Sequence, residues 1–217
     1  MRIKWNGHAS FTIASDNGTV IVTDPYDPGS YGDEFTYEVV RERADGVLVS
    51  HGHPDHNYAS GLPGSPVVLK DSGLIKGITI TGIRTFHDES GGSKRGNNMV
   101  FRFTVDNITL CFLGDLGHIL SQEQIEMICP VDILFIPVGG TYTIDGDMAA
   151  RVIDQVRPKA AIPMHFRTKK CCFPITGVDD FLSKMKEIKR LGKSDIYIPS
   201  DKLPYEGTEV WVLDHAC

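Results

Sequence analysis

His51-Gly52-His53-Pro54-Asp55-His56 is the stretch whose reading decides the fold. It follows Gly46-Val47-Leu48-Val49-Ser50, a short apolar run opened by glycine that predicts a buried strand, so the cluster sits where a strand runs into a loop. Imidazole and carboxylate side chains suit zinc, manganese, iron or nickel. Pro54 stiffens the backbone between the donors, so they cannot all point at one ion, and two ions are the economical reading. An H-x-H pair alone is weak, because paired histidines are also ordinary surface residues. The full H-x-H-x-D-H arrangement after a strand is far more specific.

Upstream, residues 2–24 alternate between apolar and polar and are broken at Asn6-Gly7 and Asp16-Asn17-Gly18, which predicts an antiparallel meander. Its last strand, Thr19–Thr23, delivers Asp24 just before Pro25. Residues 36–44 predict a short helix, and a helical turn is expected from near Asp55. Downstream, strands are expected at 66–69 and 78–86, the second ending on His87. A polar, glycine-rich loop follows over 88–98 and carries Lys94 and Arg95. Strands near 100–103 and 110–113 meet at Asp106-Asn107, and the second runs into Gly114-Asp115.

Ser121 with Gln124 three residues on is a capping-box pattern for a helix over 122–128, stopped by Pro130. The uninterrupted Ile133–Ile136 reads as a strand buried on both faces, leading to Gly139-Gly140-Thr141-Tyr142. Asp145 or Asp147 caps the next helix, whose Met148, Ala149, Val152, Ile153 and Val156 share a face before Pro158. Ala160–Met164 then reaches His165. A last helix is expected over 178–190, burying Val178, Phe181, Leu182, Met185 and Ile188 and closing at Gly192, before a final strand over 209–213. Strands precede helices in each half, so the two halves are expected to mirror one another.

At 217 residues, 41% hydrophobic and 23% charged, the chain has the composition of one globular α/β domain, and no Ser/Gly- or Pro-rich linker divides it. A net charge of −6 argues against nucleic acid as a broad electrostatic partner, while leaving room for a local basic patch that binds a small anion. No apolar run reaches the length of a membrane span, and the N-terminus lacks a charged-then-apolar leader pattern. A cytoplasmic location is the expectation, with no membrane partner and a homo-oligomer left open. Cys111, Cys129, Cys171, Cys172 and Cys217 include no C-x-x-C pair, and reduced thiols are the simplest reading.

Asp24, His51, His53, Asp55, His56, His87, Asp115 and His165 all fall at predicted strand ends or just beyond them. Two packed sheets would bring them to one edge, whereas a random scatter would leave several on opposite faces. These motifs, in this order, resemble the metallo-β-lactamase superfamily of metal-dependent hydrolases. Trp5-Asn6-Gly7-His8-Ala9 and Pro137–Thr143 are similar to the branch containing ascorbate-6-phosphate lactonase and many uncharacterised Zn-dependent hydrolases. The resemblance covers nearly the whole chain and implies a four-layer αββα sandwich with the metals at one edge of the sheets.

Carried over residue by residue, the resemblance implies that His51, His53 and His87 bind one divalent ion and that Asp55, His56 and His165 bind a second. Asp115 would bridge the two, and Asp24 would act from behind the ligands. Zinc is the default, with manganese or iron as alternatives. A bridging carboxylate offsets the repulsion between two dications, and a water shared by them becomes hydroxide near neutrality, giving the nucleophile. Asp115 stands where true metallo-β-lactamases of one class carry a thiolate, which argues against an antibiotic-cleaving role.

His8, at the end of the first strand, reads either as a proton donor or substrate contact near the metals, or as a packed histidine satisfying a loop carbonyl. Arg95, Arg167, Lys169 and Lys170 are the cations nearest in sequence to the ligand loops, and each is either an anion clamp or a solvated side chain. Tyr142 either lines the pocket or packs. The leading function is a dinuclear hydrolase of a small, anionic ester, lactone or phosphoester. A di-iron oxidoreductase on the same fold is the second reading, disfavoured because that class typically replaces one histidine of the first motif by a carboxylate and appends a flavin domain. A non-catalytic metal-binding module is the third, and a missing ligand would favour it. RNA-processing members carry a large extra domain for which this length leaves no room.

Overall fold

The structure, a computed structural model, describes residues 1–199, 203–204 and 206–217. Fourteen strands fall in chain order: β1 (Arg2–Gly7), β2 (Ser10–Ala14), β3 (Val20–Thr23), β4 (Gly46–Leu48), β5 (Val67–Leu69), β6 (Gly73–Ile75), β7 (Ile78–Phe86), β8 (Asn97–Val105), β9 (Ile108–Phe112), β10 (Ile133–Pro137), β11 (Ala160–Met164), β12 (Glu187–Arg190), β13 (Asp195–Tyr197) and β14 (Glu209–Val212). Three α-helices accompany them: α1 (Gln122–Ile128), α2 (Gly146–Val156) and α3 (Val178–Leu182). One sheet has the order β13-β1-β2-β3-β4-β5, the other β12-β14-β11-β10-β9-β8-β7-β6.

Direction of travel is what gathers the site. β1, β2 and β3 are successive antiparallel neighbours and β4 is parallel to β3, so β1, β3 and β4 run the same way. In the second sheet β7, β8 and β9 alternate, while β10 and β11 lie parallel to β9, so β7, β9, β10 and β11 also share a direction. The strands that precede His8, Asp24, the 51–56 loop, His87, Asp115 and His165 therefore end together at one edge of their own sheet. Each sheet passes from antiparallel to parallel pairing, but the strands-then-helix order expected of both halves holds only in the second, since all the α-helices among the described residues follow β9.

Alternation on β3 and β4 decides which face meets the second sheet. Ile21 and Leu48 enter the cluster between the sheets, while Val22, Val47 and Val49 face outward. Phe11 and Phe135 join the sheets with ring centroids 4.6 Å apart. β10 and β11 are buried throughout, as parallel strands covered on both faces are. α2 starts where Asp145, not Asp147, caps it by accepting from the Met148 N–H, and buries Ala149, Val152, Ile153 and Val156; each such Val or Ile contributes about 1.5–3 kcal/mol. α1 carries the full Ser121/Gln124 capping box.

Two expected helices are corrected. Residues 36–44 form no helix: Tyr37, Val40 and Ala44 are buried on the outer face of the first sheet, but from irregular backbone. Tertiary partners outbid the helix, since Thr36 N–H donates to the Lys170 carbonyl and Tyr26 Oη to that of Glu38. One outer layer of the sandwich is thus an aromatic coil rather than a helix. The helix expected over 178–190 stops at Leu182, and Glu187–Arg190 pairs with β14 as an edge strand whose residues, Ile188 included, are exposed. Lys189 bonds Glu209 at 2.8 Å and Arg190 pairs with Asp179, so charge decorates that edge. Near Asp55 there is a turn and then a 3-10 helix at Ala59–Gly61. No helix among the described residues is long and apolar enough to cross a membrane.

Candidate metal centre

The loop after β4 turns back on itself, with His56 N–H bonded to the His53 carbonyl at 3.0 Å. That turn sends its donors two ways. His51 and His53 meet His87 from the end of β7, with potential ligand atoms within 4.8 Å of one another. Asp55 and His56 meet His165 from the end of β11, and the same convergence includes His8. Asp115, delivered by β9, lies between the groups: its Oδ2 is 3.2 Å from Nε2 of His87 and of His165, 3.3 Å from that of His56 and 3.8 Å from that of His51. One carboxylate oxygen thus faces imidazoles of both sets.

Asp24 sits behind these groups and aims them. Its Oδ1 accepts from Ser50 N–H at 2.7 Å, and its Oδ2 accepts from Ser50 Oγ at 2.5 Å and from His56 Nδ1 at 2.8 Å. Ser50 Oγ in turn accepts from His51 Nδ1 at 2.9 Å. With both Nδ1 atoms donating, a neutral imidazole leaves the Nε2 lone pairs of His51 and His56 pointing inward. Asp24 also lies close enough to His51 and His56 to form a candidate donor group, but both its oxygens are already engaged, so orientation is its role here. Asn98 does the corresponding work for Asp115, accepting from its N–H at 2.9 Å while its amide donates to Leu113 O and Thr85 Oγ1. Gly114, at φ 54°, is required there: a Cβ would lie 2.5 Å from Asn98 Oδ1 and 2.6 Å from Ser50 Cβ. His8, Asp24 and His165 hold left-handed backbone at φ 52°, 34° and 52°, a strain common where side chains must be aimed.

Electrostatics follow from burial and proximity. Burial and the neighbouring His56 push His51 down to about 2, and burial with His87 lowers His53. Burial opposes charge on His56 and His87 too, yet Asp115, together with Asp55 at His56, raises both. Burial works to raise Asp115 and Asp55, but His165 and His56 hold Asp115 well below the usual carboxylate range, and His56 and His8 lower Asp55. Asp24 is raised by burial. Positive charge is drawn to the middle of this donor set. Among the described residues the buried Nε2 atoms of His51 and His56 and Oδ1 of Asp115 have no hydrogen-bond partner. Leaving such an atom unsatisfied costs about 1–3 kcal/mol, and imidazole nitrogen with carboxylate oxygen is the donor chemistry of transition dications. The residues therefore fit metal.

A cavity of about 320 Å³ opens onto His53, Asp55, His87, Asp115 and His165. Arg95 and Tyr142 line it, with the Arg95 guanidinium 5.6 Å from the centre of the Tyr142 ring. Arg167 and Lys169 do not line it: both are exposed, because the chain after His165 leaves the cavity to pair with Thr176 and Cys171. His8 is fully buried and does not line it either, so the substrate-contact reading of His8 fails on placement. The other walls, Tyr31, Glu34 and Phe173, carry no sequence signal that sets them apart. Tyr31 Oη donates to Asp55 Oδ1 at 3.2 Å.

A family model described as the beta-lactamase superfamily domain matches residues 2–165. The chain belongs to that superfamily. A crystal structure from Thermotoga maritima, assigned to the Zn-dependent hydrolases of the metallo-β-lactamase superfamily, superimposes with a TM-score of 0.80 at 36% identity, covering 98% of this chain and 97% of that one. UPF0173 metal-dependent hydrolases of Carboxydothermus hydrogenoformans and Pyrobaculum islandicum are 28% and 27% identical, over 82% and 94% of this chain and 88% and 99% of theirs. The two-sheet sandwich described above is the fold of this superfamily.

Proposed function

We propose that the protein is a metal-dependent hydrolase whose site holds two divalent ions, zinc by default, and cleaves a small anionic ester, lactone or phosphoester. One observation carries the reading: Asp115 Oδ2 lies within 3.2–3.8 Å of Nε2 atoms from both histidine sets. The metal-dependent hydrolases among its relatives support it. When bound, the ions supply Lewis acidity, making a nucleophile of water near neutral pH and polarising the scissile carbonyl or phosphoryl group.

The chain's own residues do the rest. Asp115 shares its carboxylate between the sets, and Asp24 keeps His56 and, through Ser50, His51 in the tautomer that presents Nε2. Tyr31, Tyr142 and Phe173 wall the cavity with rings that exclude water from one side of the substrate. Arg95 is placed to clamp an anionic group, and Glu34, also on the cavity wall, disfavours a second one. Elemental analysis of reconstituted protein, with a hydrolysis panel of lactones, phosphodiesters, thioesters and β-lactams, tests the reading. Two ions per chain with turnover of an anionic substrate is the expected result; a stoichiometry near zero overturns it.

A further inference from the structure

His8 belongs to none of the motifs that the dinuclear reading uses, yet the fold drives it into the second donor set. Its Nε2 lies 3.2 Å from Asp55 Oδ2, its ring centroid is 4.1 Å from that of His165 and 5.1 Å from that of His56, and it is fully buried. Backbone at φ 52° aims it there, held where the His8 carbonyl accepts from Trp5 Nε1 at 3.0 Å and from His165 N–H at 3.1 Å. Phe35 and Phe173 pack perpendicular to the ring, with centroids 5.1 Å and 5.9 Å away.

A hydrogen bond from His8 to Asp55 explains one of these contacts. It does not explain why potential ligand atoms of His8, Asp55, His56 and His165 all lie within 4.8 Å of one another. The 3.2 Å spacing between His8 and Asp55 also equals that from Asp115 to His87 and to His165. Two donors each about 2.0–2.1 Å from one tetrahedral zinc are separated by roughly this much. Nδ1 of His8 has no hydrogen-bond partner among the described residues, and the same holds for His87 and His165. His8 therefore carries the pattern of the histidines already assigned as donors.

We infer that His8 is a ligand of the ion held by Asp55, His56 and His165, giving this half of the centre one more protein donor than the half formed by His51, His53 and His87. The inference rests on the dinuclear reading. It makes the two halves chemically unequal: the half that includes His8 suits a cation that accepts more than four donors, and the three-histidine half keeps a position free for another ligand.

Cobalt(II) titration of metal-free protein against a competing chelator tests this, with His8→Gln as the variant, because Gln retains an N–H donor for Asp55 but is a poor ligand. Wild type should take two ions. His8→Gln should keep one with unchanged affinity and hold the other at least about tenfold more weakly, with stronger visible absorption from that ion as its coordination number falls. Two ions with wild-type affinity and spectrum in His8→Gln would show that His8 only steadies Asp55, and would overturn the inference. A wild type that never binds a second ion would instead overturn the dinuclear reading, and the inference with it. Should His8→Gln fail to fold, cadmium-113-loaded wild type decides: a coupling between the metal and His8 Nε2 is expected, and its absence overturns the assignment.

Discussion

The two donor sets differ in how they are held. In one, His53 is exposed, His51 half-buried and His87 buried; in the other Asp55, His56 and His165 are all buried, with Tyr31, Asp24 and the His8 backbone bound directly to them. Both sets reach the cavity, the first through His53 and His87 and the second through Asp55 and His165. The second set is the more firmly tied, because those bonds must break before its side chains move apart. The difference teaches that one loop, split by a single turn, can feed a looser donor set and a more firmly held one.

Asp115→Ala should remove this difference altogether, because its carboxylate faces both sets. Turnover is expected to fall at least about a hundredfold, with both ions weakened in chelator competition and the circular dichroism spectrum retained. Wild-type turnover in that variant would break the comparison at its centre. Asp24→Ala should separate the sets instead: His56 loses its direct partner while His51 keeps Ser50. The ion of the buried set should weaken by about 10–100-fold and the other by less, as equilibrium dialysis would show. Equal loss at both would mean that Ser50 transmits the whole effect.

Arg95→Ala probes the open side alone. KM for an anionic substrate should rise by about tenfold, with metal content and the KM of a neutral analogue unchanged. A parallel rise for both substrates would assign Arg95 to pocket shape. The smallest effect concerns the loop that carries Arg95. Burial works to raise the Asp88 carboxyl, but N–H groups of Arg95, Lys94, Ser90 and Gly92 hold it down to about 2. A carboxyl lower in the folded than the unfolded state contributes stability above its unfolded pKa of about 3.9, and loses it as pH falls towards 2. Protection against hydrogen exchange at residues 89–96, taken relative to the intrinsic exchange rate at each pH, should therefore fall between about pH 4 and 2 in wild type, and be low throughout in Asp88→Ala. Exchange in Asp88→Ala as slow as in wild type at pH 6 would show that the glycine turns alone order the loop.

How the site could be read from the sequence depends on the range of each interaction. His51 to His56 declared themselves because their spacing and the strand before them are local. Asp24, His87, Asp115 and His165 declared themselves because period-two patterning marks a strand and its end. Residues 36–44 misled because a helix-compatible spacing of apolar residues is equally met by a coil pressed on a sheet, and the choice was made by Lys170 and Tyr26, distant in sequence. Residues 187–190 misled because only β14 supplies the edge that turns them into a strand. Arg167 and Lys169 follow His165 in sequence yet do not line the cavity, since sequence proximity does not set side-chain direction.

The sequence by itself determined the strands that lead into the site, their ends and the candidate donors placed on those ends, because alternation and short motifs are properties of neighbouring residues. Only the tertiary structure decided that Asp115 faces both sets, that Tyr31, Glu34 and Phe173 close the cavity, and that His8 turns inward beside Asp55. Each of these depends on how two sheets pack and where coil lies across them, and contacts between segments so far apart in the chain leave no periodicity for the sequence to show.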